Sequence, residues 1–88
     1  MSLAEIEAAI DNCTRATVAA RVQAQTHLRR LKQFGTPSMV KVYDGNGLWI
    51  EWRHYEGEHT AVVTVEPSGA SELNIYCGTK LIFEERLQ

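Results

Sequence analysis

The apolar positions of this chain change period once, between residues 35 and 39. Ahead of that point Leu3, Ile6, Ile10, Cys13, Thr17, Ala20, Ala24, His27, Leu31 and Phe34 follow one another in steps of three and four. That spacing keeps side chains on one face of a helix, and its seven-residue repeat is that of a seam packed against a partner helix. Both ends carry independent signals. Ser2-Leu3-Ala4-Glu5 fits a capping box, in which a hydroxyl and a carboxylate satisfy each other's unpaired N–H groups. Phe34 is followed by Gly35, suited to a left-handed cap, and by Pro37, which prevents resumption. The pattern predicts one helix over about residues 3–34. Asn12-Cys13-Thr14 is where it would divide, because Asn and Thr cap helices better than they continue them.

From Met39 onward the period is two. Met39–Asp44, Leu48–Tyr55, Thr60–Glu66, Glu72–Cys77 and Lys80–Glu84 read as short strands. The segments between them, Gly45-Asn46-Gly47, Glu56-Gly57-Glu58, Pro67-Ser68-Gly69 and Gly78-Thr79, are turn sequences too short for anything but antiparallel neighbours. Alternation puts Val40, Val42, Leu48, Ile50, Trp52, Ala61, Val63, Val65, Leu73, Ile75 and Cys77 on one face as the core. Lys41, Tyr43, Trp49, Glu51, Arg53, Tyr55, Val62, Thr64, Asn74 and Tyr76 fall on the other. The expected fold is α+β: one long N-terminal helix packed on a four- or five-stranded antiparallel β-meander. It forms a single domain over residues 1–88, with the helix at about 3–34 and the meander at about 39–84.

Length then sets a constraint. A helix of that extent spans roughly 48 Å at 1.5 Å per residue. Strands of this length reach only roughly 20–26 Å, and five of them give about 19 Å of width. The excess seam needs cover: either the helix bends near Asn12, or a second copy of the chain shields it. Homodimerisation is the expectation, through Ile6, Ile10, Cys13, Thr17, Ala20, Ala24 and Leu31.

Composition adds limits. The chain has 88 residues, 44% hydrophobic and 23% charged, an ordinary globular mixture that disfavours disorder. No window is apolar enough for a membrane span, and the first residues lack the basic-then-apolar order of a secretory signal. Two cysteines are too few for a disulfide framework or a zinc-binding set. A cytoplasmic protein that does not engage membranes is expected. The net charge of −2 hides three blocks: −3 over residues 1–11, +6 over 12–43 and −5 over 44–88. Acids at a helix start and bases at its end complement the helix dipole. That accounts for Glu5, Glu7, Arg29, Arg30 and Lys32 but not for Arg15 and Arg21 in mid-helix.

Catalytic chemistry finds little support. His54 and His59 with Glu56 and Glu58 are metal-ligating types around one hairpin, but a hairpin of this length does not fix their geometry, and H-E-x-x-H is absent. Cys13 and Cys77 fall on apolar faces, as small buried hydrophobes do. Ser68 and Ser71 are turn residues without a G-x-S-x-G setting. Gly45-Asn46-Gly47 links two strands rather than a strand and a helix, so it reads as a hairpin turn needing positive φ instead of a phosphate loop. Glu84-Glu85 and Glu56/Glu58 lie in polar ends with no apolar pocket to tune a carboxyl group. No enzyme and no cofactor are expected.

Two surfaces remain. On the outer sheet face Tyr43, Trp49, Arg53, Tyr55 and Tyr76 are the residue types that anchor protein interfaces. On the helix flank Arg15, Arg21, Arg29 and Lys32 fall within about 120° of one another, a stripe that could follow a phosphate backbone. The sequence pI of about 5.9 and the acidic strand region weigh against nucleic acid. The expectation is a non-catalytic protein-binding module and homodimer. Its size and lack of chemistry suit an adaptor, or an inhibitor of the kind carried by phages and mobile elements. The alternative is a nucleic-acid-binding protein using the basic flank.

Overall fold

The structure, a computed structural model, describes residues 2–54 and 58–88. Two helices come first, α1 (Leu3–Asp11) and α2 (Val18–Leu31), the second ending in a 3-10 turn over Lys32–Phe34. Five strands follow: β1 (Met39–Asp44), β2 (Leu48–Arg53), β3 (His59–Val65), β4 (Ser71–Cys77) and β5 (Lys80–Leu87). They form one antiparallel sheet in the order β1-β2-β3-β4-β5. The helices pack on one of its faces. Among the described residues no helix is long and apolar enough to cross a membrane.

The expected single helix over residues 3–34 is corrected to two. Ser2 Oγ accepts from Glu5 N–H at 3.2 Å and starts α1 as expected, but the helix stops at Asp11. Residues 12–17 make tight turns instead, with Cys13 N–H on Ile10 O and Ala16 N–H on Cys13 O, both at 3.1 Å. Thr17 then caps α2. Its hydroxyl accepts from Ala20 N–H at 3.1 Å and donates to Pro67 O at 2.6 Å, across 50 residues of sequence. A threonine that satisfies both an open helix end and the β3–β4 turn is worth more to the chain as a cap than as one more seam residue.

The break removes the length mismatch. Helices of 9 and 14 residues reach only about 14 and 21 Å, within the span of the sheet. The whole molecule measures 33 × 25 × 18 Å. Six of the seven residues expected at a dimer seam, Ile6, Ile10, Cys13, Ala20, Ala24 and Leu31, are buried in the chain's own core, while Thr17 is exposed at its cap. Ala16 takes the inward place expected of Thr17, and Leu28 joins the core. The seam faces the chain's own sheet and is spent there rather than on a second copy.

The strand faces follow the alternation. Leu48, Ile50, Trp52, Ala61, Val63, Val65, Leu73 and Ile75 are buried against the helices, and Val40 and Val42 pack at the margin. Ala16, Ala20 and Ala24 let the helical layer approach these larger side chains closely. Cys77 departs from expectation: it lies exposed at the end of β4. The strand limits also shift, since β2 is described to Arg53, β3 opens at His59, β4 at Ser71, and β5 runs on to Leu87 rather than Glu84. The sheet joins the helices through residues 35–38. There Gly35 adopts φ of 84°, and Ser38 places both its N–H and its hydroxyl on Arg53 O, at 2.9 and 2.8 Å.

The β1–β2 turn uses its glycines differently from the reading above. No residue of Gly45-Asn46-Gly47 sits in the left-handed region. Gly47 is required for close approach: a Cβ there would overlap the Val65 carbonyl oxygen, whereas one on Gly45 would meet nothing within 4 Å. Gly47→Ala should therefore lower stability by about 1–3 kcal/mol or more, because backbone must move, and Gly45→Ala should change it by less than about 0.5 kcal/mol. Urea denaturation of the two variants checks the contrast, and equal midpoints would refute it.

Candidate functional site

On the outer sheet face, residues opposite one another in the ladders fall into three rows. Met39, Arg53, Thr60, Tyr76 and Leu81 make the first. Lys41, Glu51, Val62, Asn74 and Glu84 make the second, and Tyr43, Trp49, Thr64, Glu72 and Arg86 the third. The aromatic residues expected to share one surface are therefore divided. Tyr43 and Trp49 are directly opposite in the β1–β2 ladder, 52% and 43% exposed. Arg53 and Tyr76 lie two rows away at the other end of the sheet, with Thr60 between them. From Tyr43 to Tyr76 is roughly 20 Å along the diagonal, by standard strand and residue spacings. Tyr55 lies outside the described residues.

The Tyr43–Trp49 corner is held by its neighbours. Trp49 donates from Nε1 to Glu51 Oε1 at 3.3 Å, and Glu51 stands opposite Lys41. Beyond the pair the β1–β2 turn and Pro67 border a shallow depression of about 440 Å³. Cross-strand pairing sets Tyr43 and Trp49 opposite each other without burying them. An apolar, partly polar-tipped surface results.

Two of the four side chains of the basic flank, those of Arg21 and Lys32, are engaged within the chain. Arg15 sits in the turn between the helices, off both of them, with its backbone N–H on Asp44 Oδ2 at 3.3 Å. Arg21 Nη1 donates to Asp11 O at 3.2 Å, satisfying a carbonyl at the end of α1. Lys32 Nζ meets Glu7 Oε1 at 2.7 Å, and Arg30 Nη1 meets Glu85 Oε2 at 2.6 Å. Gln25 Nε2 adds bonds to Glu7 O and Asp11 Oδ1, at 3.0 and 3.1 Å. Much of the contrast between the acidic first block and the basic second one is thus used to hold α1 against α2. Of the four expected phosphate-binding residues, Arg21 and Lys32 have their side chains bonded within the chain, whereas Arg15, in the turn, and Arg29, on the flank of α2, are exposed.

The metal-ligating candidates do not converge. His54 and His59 are linked through their backbones, His54 N–H to His59 O at 3.0 Å, while the ring of His59 lies beside Phe34 and that of His54 beside Trp52. Glu56 lies outside the described residues. Among the described residues no group of three or more His, Cys, Asp or Glu side chains is arranged to hold a metal ion. Cys13 donates from Sγ to Ala9 O at 3.2 Å. Burial pushes its thiol pKa up, Asp44 adds to that, and Arg21 works against it. Such a thiol is a poor nucleophile.

The sequence reading missed one buried polar pair. His27 is 0% exposed, and its Nε2 lies 2.7 Å from Ser71 Oγ, joining the middle of α2 to the start of β4. A serine and a histidine at this distance resemble part of a nucleophilic relay. Here the imidazole is sealed in the core and Nδ1 has no hydrogen-bond partner. The pair acts instead as a polar rivet between layers. The signal was present in His27 itself, a polar residue on an otherwise apolar stripe; its partner, 44 positions away, was not visible.

Burial holds the His27 pKa below its ordinary value; the negative charge of Glu85 opposes that shift and Arg30 reinforces it. The folded chain therefore keeps His27 neutral at pH values where the unfolded chain takes up a proton. Stability contributed by the neutral form is complete above about pH 6.5 and declines as pH falls below it, by at most about 1.4 kcal/mol per pH unit. His27→Gln, which keeps a hydrogen-bonding group for Ser71 and cannot titrate, should flatten this component. Urea midpoints compared at about pH 7.5 and 5.5 test it; an unchanged pH dependence in the variant would assign the slope to other groups.

Compared with known protein families, with curated proteins and with solved structures, the chain matches none of them.

Proposed function

We propose that this chain is a cytoplasmic, non-catalytic protein-binding module of the adaptor or inhibitor type, with the Tyr43–Trp49 pair as its docking anchor. The observation that carries this reading is the exposure of that pair: two large aromatic residues opposite each other in adjacent strands, about half accessible, on the outer face of the sheet. Large apolar rings with polar tips lose little conformational entropy on binding, and interface energy concentrates on such residues. The flanking Lys41–Glu51 pair and the turn beside them supply a polar rim. The separation of Arg53 and Tyr76 from this corner narrows the site from a whole face to one end of β1 and β2.

Tyr43→Ala combined with Trp49→Ala should weaken partner capture on the immobilised protein by at least about thirtyfold, the loss of one strong anchor. Circular dichroism should remain unchanged, because neither ring is in the core. Arg53→Ala with Tyr76→Ala should leave capture within a few-fold of the parent. Undiminished capture by the first double variant would show that the aromatic pair serves only the sheet.

A further inference from the structure

The apolar surface that stands out most lies elsewhere, at the β5 edge. Leu81, Ile82 and Phe83 are consecutive and 41–47% exposed, on a strand that among the described residues has no neighbour on its outer side. Ile82 and Phe83 also line an apolar groove of about 170 Å³ with Leu31, Phe34, Leu73 and Ile75. Edges of this kind are ordinarily shortened, covered or charged, because their free peptide groups template pairing.

The hydrogen-bond pattern shows which peptide groups face outward. Glu66 N–H bonds Ala70 O at 2.8 Å and Gly78 N–H bonds Glu58 O at 3.2 Å, framing the β3–β4 ladder at its two ends. Since antiparallel bonding alternates, Ser71, Leu73 and Ile75 turn their peptide groups toward β5. Their partners Leu87, Glu85 and Phe83 are used up in that ladder, and Glu84 and Arg86 face the open side. The register shifts between Ile75 and Tyr76, so Ile82 is an inserted residue and Leu81, opposite Tyr76, faces outward as well.

The geometry points to a second copy of this chain as the occupant, with the two β5 edges joined antiparallel about a two-fold axis between Ile82 and Phe83. In that register Leu81 meets the partner's Glu84, and both offer outward peptide groups. Ile82 meets the partner's Phe83 on the helix-covered side, where both line the groove. Lys80 meets the partner's Glu85, whose Oε2 holds Arg30 of its own chain at 2.6 Å and whose Oε1 has no bond of its own, and the symmetry repeats this contact. Faces, peptide directions and charges agree together in this pairing. Centring the contact on Glu84 or Arg86 would instead oppose each to its own copy, which is repulsive. This association is separate from the Tyr43–Trp49 corner and goes beyond the binding reading above. It makes a ten-stranded sheet and leaves that corner open on both subunits.

Light scattering after size exclusion should give twice the chain mass of 9.9 kDa. Ile82→Lys should return a monomer with unchanged circular dichroism. Lys80→Glu, at the exposed strand end, should weaken the dimer roughly tenfold by placing two like-charged pairs at the contact, and it keeps the test informative if Ile82→Lys fails to fold. In a Cys77→Ser background, a mixture of Leu81→Cys and Glu84→Cys chains should form a disulfide-linked dimer under mild oxidation, while neither alone should. A monomer at concentrations up to about 100 μM, well above an ordinary micromolar Kd, would overturn the proposal. So would a dimer that survives both charge variants, or one that gives no cross-link in the mixture.

Discussion

The structure depends on a single covering problem. One face of the sheet carries Leu48, Ile50, Trp52, Val63, Val65, Leu73 and Ile75, and these side chains are removed from water by the helical layer. A straight helix would overshoot the sheet and cover one diagonal. Two shorter helices, set side by side, cover more of its width. The turn over residues 12–17 makes this possible, and the Thr17 hydroxyl is its pivot, ending one orphaned helix start and one orphaned carbonyl at once. Hydrophobic burial sets the requirement, and a capping hydrogen bond of about 1 kcal/mol decides where the chain turns.

The charges serve the same arrangement. Between parallel or antiparallel helices in water, isolated ion pairs add little. Here Lys32–Glu7, Arg21 on the α1 terminus and Gln25 bridging Glu7 and Asp11 act on a single short interface. Together they give α1, which carries only two fully buried large side chains, a defined seat beside α2. Arg30 extends the pattern to the sheet by meeting Glu85 on β5. Half of a positive block that suggests a polyanion when read along the sequence, Arg21, Arg30 and Lys32, is in three dimensions a fastening between elements.

How much of this could be read beforehand follows from the physics of each element. Strand faces were legible because a period of two leaves no ambiguity about side: every buried strand position from Leu48 to Ile75 follows the alternation, including Ser71, whose residue type reads as a turn. The Ser2 cap was legible because its partners are local. The division of the helix was not, although Asn12, Thr14 and Thr17 all permit it. Ala20 and Ala24 keep heptad spacing whether the chain continues or turns, and Thr17 suits a close-packed seam as well as a cap. What decides between them is Pro67 O, which no local pattern contains. Much the same holds at the candidate sites. Tyr43 and Trp49 share a face by alternation alone, but their distance from Tyr76 depends on ladder register. The run Lys80-Leu81-Ile82-Phe83 breaks alternation and could have signalled the bulge that sets the character of β5.

Strand order that follows chain order has a consequence for how the molecule comes into being. Each ladder closes a loop of a few residues, so the sheet can zip up hairpin by hairpin at small entropic expense. The helices have no such advantage: nine and fourteen residues are too few to persist in water without a surface beneath them. Yet they precede the sheet along the chain. The helical segment must therefore wait, largely unstructured, until the strands beside it have been translated and paired, so the order of synthesis is the reverse of the order in which the two layers can become stable.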